Sequence, residues 1–195
     1  MYDITVFLYH LAILMLSPFS LKARRYWKGR KNWKQKLRSS FEGRKKLIWF
    51  HCASLGEFEQ GRPLIEIIKN DFPQFQIILT FFSPSGYEVR KNYPLADVVF
   101  YLPSDTRRNA AFFIQTVRPE VVFFVKYEFW HHYISELKKA KIPLYLVSGI
   151  FRKEQQFFSG MPWGRWFRKM LCSFTHLFVQ DQKSADLLEG IGKIG

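Results

Sequence analysis

The chain is 195 residues long and carries thirty Lys and Arg against sixteen Asp and Glu, a formal net charge of +14. Phe alone contributes 21 residues, which excludes a disordered chain and is enough to fill one good core. The charge excess is local. Residues 22–46 hold twelve of the basic residues and a single acid, Glu42, so the chain reads as a nearly balanced domain with a basic collar and not as a uniformly basic nucleic-acid binder.

The first element is apolar. Ile4–Leu21, "ITVFLYHLAILMLSPFSL", has no charged residue other than the titratable His10. Its length sits at the lower limit for a bilayer span of roughly 17–25 residues, and Pro18 ends or kinks any helix there. Positive charge comes after the apolar run, whereas a cleaved signal peptide has it in front. The same asymmetry keeps the remainder of the chain on the cytoplasmic side. A membrane anchor is therefore expected over residues 1–21, either crossing the bilayer or lying in it. A basic juxtamembrane segment is expected over 22–45, where Arg24, Arg25, Trp27, Lys28, Arg30 and Trp33 suit the headgroup layer of an anionic membrane. The competing reading is an N-terminal helix buried in the domain core. No RNP, zinc-finger or helix-turn-helix signature accompanies the collar, so nucleic acid is not an expected partner.

From residue 46 onward, short runs rich in Ile, Val and Phe alternate with amphipathic ones. Strands are predicted at Leu47–Cys52, Gln76–Phe81, Val98–Leu102, Val121–Lys126, Leu144–Val147 and His176–Val179. Helical patterns lie between them at Glu57–Asn70, Gly86–Lys91, Arg107–Val117, Trp130–Lys141, Trp163–Ser173 and Lys183–Gly190. Pro63 inside the first of these predicts a kink or a late start. Strand and helix alternating at this spacing specify an α/β domain over 46–195, a Rossmann-like parallel sheet with helices on both faces.

Ligands of such sheets bind beyond the carboxyl ends of the strands. The candidate residues there are Ser54, Gly56 and Glu57 after the first strand, Ser83, Ser85 and Gly86 after the second, Ser104 and Asp105 after the third, and Lys126, Glu128, Trp130 and His131 after the fourth. Neither G-x-G-x-x-G nor a Walker A motif occurs. Cys52 and Cys172 fit no metal spacing and read as free thiols in a reducing compartment. The adjacent His131 and His132 lack an i, i+4 partner, so no metal site is expected. His51, inside an apolar strand, reads as a satisfied structural histidine. Glu57 stands at the mouth of a helix, where a carboxylate complements the dipole or serves as a general base; composition alone leaves both open.

The combination "HCASLGE", "FFSPSG", "YLPSD" and "YEFW" resembles the N-terminal half of the Kdo (3-deoxy-D-manno-octulosonic acid) transferases. The family pattern at the first strand, H-A-x-S-x-G-E, appears as His51, Ser54, Gly56 and Glu57, with Cys52 replacing the usual Ala. The resemblance implies the acceptor-binding half of a two-domain, GT-B type glycosyltransferase, whose donor-binding half lies outside this chain and without which the chain transfers nothing. It implies an inverting transfer of Kdo from CMP-Kdo to the lipid A precursor in lipopolysaccharide biosynthesis, with no metal and no resident cofactor. It further implies membrane lipids as partners and a location at the cytoplasmic side of the inner membrane. By the same resemblance Glu57 is the catalytic base, and Ser54, Gly56, Ser83, Ser85, Gly86, Lys126 and Glu128 are expected near the acceptor. Two positions depart from the pattern. Lys126 replaces the first acid of E-x-E-L-W-P-N, and "SGIFRKEQ" keeps only Arg152 of the loop after the fifth strand. Two alternatives stay open: another membrane-associated glycosyltransferase of this fold, and a non-catalytic lipid- or sugar-binding module. The second aromatic-basic run, "MPWGRWFRKM" at 161–170, reads either as a further membrane face or as an amphipathic helix burying Trp166 and Met170.

Overall fold

The N-terminal fifth of the chain folds as three helices, α1 (Tyr2–Leu16), α2 (Leu21–Arg30) and α3 (Trp33–Ser40). The computed structural model describes residues 2–40 and 46–191. Six strands come next, β1 (Leu47–Cys52), β2 (Gln76–Phe81), β3 (Val98–Tyr101), β4 (Val121–Val125), β5 (Leu144–Gly149) and β6 (His176–Val179). All are parallel, in the order β3-β2-β1-β4-β5-β6. Each lies within two residues of its predicted bounds. The connecting helices are α4 (Leu55–Asp71), α5 (Pro84–Arg90), α6 (Arg107–Val117), α7 (His131–Lys139), α8 (Pro162–Leu171) and α9 (Gln182–Glu189).

The strands are apolar on both sides because both sides are covered. In β1, Leu47 and Trp49 pack with α3, α6, α7 and α8, while Ile48, Phe50 and Cys52 turn to the opposite core under α4 and α5. Trp49 is fully enclosed and meets Phe113 of α6, Phe124 of β4 and Tyr133 of α7 at centroid distances of 4.9–5.7 Å. The late helix start that Pro63 allowed does not occur. α4 starts early, at Leu55, and continues as one helix past Pro63 to Asp71. Phe58 on one side of the proline and Ile65 and Ile68 on the other are buried against the sheet.

The apolar N-terminal run folds as part of a bent pair of helices. Helix α1 ends at Leu16, and α2 leaves it at a bend of 118°. Among the described residues no single helix is long and apolar enough to cross a membrane. Nor is α1 buried in the core. It lies across the carboxyl ends of the strands and presents a polar edge to them. The Tyr2 hydroxyl donates to Asp105, His132 pairs with Asp3 at 2.6 Å, and the His10 Nε2 meets the Tyr26 and Ser104 hydroxyls. Its other side leaves Phe7, Met15 and, just beyond, Phe19 between 64 and 89% exposed.

The collar is also more than a tether. Arg30, expected at the lipid surface, points inward and is 8% exposed. Its guanidinium donates to the backbone oxygens of Leu102 and Phe82, each at 2.8 Å, and of Tyr26 at 3.2 Å, while stacking 3.6 Å above the Tyr26 ring. Trp33 turns inward too and meets Phe112 of α6 edge-on at 5.4 Å. Arg24, Arg25 and Lys28 are exposed, and Trp27 is half-buried. In the second aromatic-basic run, Met170 is buried in α8 and Trp166 packs against Tyr2 and His131, so the amphipathic-helix reading holds there; Trp163 remains 51% exposed.

Removing the Arg30 side chain strands carbonyls at the ends of β2 and β3. Hydrogen bonds from a charged donor contribute about 1.5–3 kcal/mol each in such settings. Arg30→Ala is expected to lower stability by about 3 kcal/mol in urea denaturation, against a change within about 0.5 kcal/mol for the exposed Lys28→Ala.

Candidate active site

The strand order reverses between β1 and β4, so the chain leaves these adjacent strands in opposite directions and a crevice opens beyond their carboxyl ends. Residues 53–57 form one wall and residues 126–130 the other. Glu57 sits on the first turn of α4. Its Oε2 accepts from the Ser54 N–H at 2.7 Å and from the Ser54 hydroxyl at 3.2 Å. This is half of a capping box, written in the sequence as Ser54-x-x-Glu57. The carboxylate is thereby held in one orientation at a helix N-terminus. Burial pushes its pKa above the usual glutamate value, and the nearby Glu128 carboxylate adds to the rise, against the pull of the Ser54 hydrogen bonds. Glu57 is thus positioned at the switch point and is more basic than a surface glutamate.

Behind it lies a buried polar chain. Trp49 Nε1 donates to Thr80 Oγ1 at 2.8 Å, and Thr80 Oγ1 meets His51 Nδ1 at 2.8 Å. His51 Nε2 meets Glu128 Oε2 at 2.8 Å, and Trp130 Nε1 reaches the same oxygen at 2.5 Å. His51 Nδ1 lies 2.8 Å from the Thr80 hydroxyl and 3.1 Å from the Thr80 carbonyl oxygen, and Nε2 lies between Glu128 and Trp130. His51 and Thr80 have no solvent exposure and Glu128 only 5%. The structural role read for His51 is therefore correct, and its partner is Glu128, 77 residues away. Glu128 was expected at the acceptor; its Oε2 is instead occupied by His51 and Trp130, so it acts as an internal charge that fixes the loop after β4 and bears on Glu57.

The other expected residues divide. Ser83 caps α5, accepting from the Ser85 N–H, and the two hydroxyls lie 3.0 Å apart on the accessible rim. Gly86 does not belong with them. A Cβ there would lie 2.3 Å from the Phe81 ring, so this glycine is a packing requirement. Gly56 is the reverse case, exposed, with open space where a Cβ would be; the fold does not demand it. Lys126 is half-exposed and holds a left-handed backbone, φ 63°, anchored by its N–H to the Val147 oxygen at 2.8 Å. Ser148, at the end of the adjacent strand, has φ 59°. Non-glycine residues in this region store strain and cluster at functional sites. Arg152 is paired with Asp181 at 2.9 Å; hydrogen bonds from Ser184, then from Arg152, draw that carboxyl down to about 2.

Asp105 has a role the sequence did not disclose. It is 2% exposed and accepts the His132 and Tyr133 N–H groups, each at 3.1 Å, capping α7 from a loop 27 residues earlier. Burial raises its pKa, opposed by these hydrogen bonds and that of Tyr2.

The two glycines yield opposite expectations. Gly86→Ala should cost about 1–3 kcal/mol by overpacking against Phe81. Gly56→Ala should leave the thermal midpoint unchanged or slightly raised, because Ala is favoured over Gly in a helix by roughly 0.5–1 kcal/mol.

Comparison with known proteins supports the fold and the family. Two solved UDP-N-acetylglucosamine 2-epimerase structures, one described as putative and from Listeria monocytogenes, superpose with a TM-score of 0.55 over 77% of this chain, at 12 and 13% sequence identity and covering 43 and 46% of theirs; they show the fold alone. Curated relatives named 3-deoxy-D-manno-octulosonic acid transferase include one from Chlamydia muridarum, 32% identical over 55% of this chain and 26% of its own length. One from Haemophilus influenzae is 33% identical over 52 and 24%, and one from Aquifex aeolicus 31% identical over 54 and 29%. These alignments span less than a third of the relatives' own length. The family model described as 3-deoxy-D-manno-octulosonic-acid transferase (kdotransferase) matches residues 27–194, and the chain belongs to that family.

Proposed function

We propose that this chain is the acceptor-binding half of a glycosyltransferase that moves Kdo from CMP-Kdo to the lipid A precursor, with Glu57 as the general base. The observation that carries the reading is the placement of Glu57. It is a carboxylate of raised basicity, held by Ser54 on the rim of the crevice between β1 and β4. In the reaction an acceptor hydroxyl oxygen attacks the anomeric carbon of Kdo, the bond to the phosphate of CMP breaks, and the hydroxyl proton passes to Glu57. A single displacement of this kind inverts the anomeric centre. The chemistry requires no metal or resident cofactor. Ser83, Ser85 and Lys126 line the acceptor side, the lysine offering a positive charge to a substrate phosphate or carboxylate. The open space over Gly56 admits a sugar close to the α4 N-terminus. The exposed apolar side of α1 and the outward cations Arg24, Arg25 and Lys28 rest on the cytoplasmic surface of the inner membrane, where the acceptor resides.

The capping role of Glu57 is a competing explanation for its presence, and one substitution separates the two. Gln also serves in a capping box but cannot take the proton. Glu57→Gln in the full-length enzyme is expected to preserve the melting temperature and to reduce Kdo transfer by about a hundred- to ten-thousand-fold. Retention of full transfer would make Glu57 a cap only.

The pH dependence has a defined sign. Burial and the Glu128 charge both raise the Glu57 pKa, so the ionised base forms at higher pH than for an ordinary glutamate near about 4.3. The acid limb of kcat/KM should lie above that value. Glu128→Gln should move the limb to lower pH, because one source of repulsion is gone.

A further inference from the structure

A groove of about 340 Å³ lies between α1, α2 and the loop after β2, lined by Tyr9, Ile13, Leu16, Ala23, Phe82 and Ser83, with Lys22 at its edge. Its volume is within the range of ligand clefts, roughly 300–1,000 Å³, and its walls are predominantly apolar. Two features say what it fits. The first is continuity in both directions. Ile13 and Leu16 belong to the helix whose outer side exposes Phe7, Met15 and, beyond its end, Phe19. At the other end Tyr9 stacks on Phe82 at 5.9 Å, Phe82 lies 4.7 Å from Trp130, and Trp130 holds Glu128. The groove thus runs from the exposed apolar surface of α1 to the aromatic wall of the candidate active site, with Ser83 shared by both. The second is charge. Lys22 is followed by Arg24 and Arg25, exposed on the same helix, with no ion pair among the described residues. An apolar channel edged by cations is complementary to a phosphorylated amphiphile and not to a neutral lipid or a free sugar.

We propose that this groove is an acyl-chain subsite, taking one hydrocarbon chain of the phosphorylated acceptor while Lys22 faces its phosphate. This inference rests on the transferase reading for the identity of the acceptor. It adds that the enzyme recognises the lipid portion directly, through α1, so that α1 contributes to substrate selection as well as to membrane contact. Ile13, partly buried at the groove wall, is the position at which to block it.

The test has two readouts on the full-length enzyme in detergent micelles, where membrane targeting no longer contributes. Ile13→Trp fills the groove, and Phe7→Trp on the exposed side of α1 is the control. With the acylated acceptor, Ile13→Trp is expected to raise KM about tenfold, and Phe7→Trp to leave it unchanged. With a de-acylated glucosamine disaccharide phosphate, neither variant should differ from wild type. An equal change for both acceptors, or no change for either, would overturn the subsite. The second readout needs no transfer. A single-chain alkyl phosphate bearing a diazirine should label peptides containing Ile13 and Phe82 in the wild type and lose that labelling in Ile13→Trp. Labelling of the groove in a protein that transfers no Kdo would retain the subsite and refute the transferase reading. Labelling confined to the outer side of α1 would refute the subsite, whatever the activity.

Discussion

The arrangement of this site depends on the buried hydrogen bond between His51 and Glu128. A carboxylate that is 5% exposed is costly unless it is hydrogen-bonded on more than one side. Here His51 and Trp130 converge on one oxygen, and Thr80 and Trp49 orient the histidine from behind. The strand order separates the loops after β1 and β4, and this bond ties them across the gap. Its second effect is electrostatic. The charge it keeps inside the protein reaches Glu57, which is itself hydrogen-bonded by Ser54. One interaction therefore ties the two loops together and adds to the burial that raises the basicity of Glu57.

The same economy appears in the N-terminal helices. These three helices, with eight basic residues against one acid, could have been a mobile tether, but Arg30 binds them to the ends of β2 and β3 through carbonyl oxygens that the sheet leaves unpaired. Tyr2, Asp3 and His10 fasten α1 at further points along the rim. The consequence is rigid registration. The apolar surface of α1 has a defined direction relative to the crevice, and an aromatic sequence of Tyr9, Phe82 and Trp130 connects the two. A substrate held in a membrane plane can be met by such a domain in few orientations.

The likeness to UDP-N-acetylglucosamine 2-epimerases at 12 and 13% identity illustrates how much of this molecule is scaffold. A six-stranded parallel sheet with covered faces can be filled by many apolar sequences. The polar features of this chain's rim are a Ser54–Glu57 box, an internal His51–Glu128 pair, and two left-handed residues, Lys126 and Ser148, at neighbouring strand ends. None of these is needed to close the core, and the two strained positions are a cost in stability that the surrounding packing offsets.

The sequence alone determined the sheet, its parallel character and the candidate rim. Strands buried on both faces read as unbroken apolar runs, and a carboxylate follows the first strand at the mouth of a helix, so β1 through β6 and Glu57 were legible from short-range pattern. Long-range pairing was not. Glu128 is indistinguishable in sequence from a substrate-binding acid, and only the fold brings His51 to it across 77 residues. Arg30 has the same composition context as Arg24 and Arg25, yet it faces inward because α2 presents that side to the carbonyls of Phe82 and Leu102. Gly56 and Gly86 both come after strand ends, and only three-dimensional packing shows that Phe81 occupies the space beside one while the space beside the other is open. Local periodicity reports which residues leave water, because that is decided by the side chain's own chemistry. Which buried group meets which is decided by strand order and helix orientation, and no single stretch of the chain contains them.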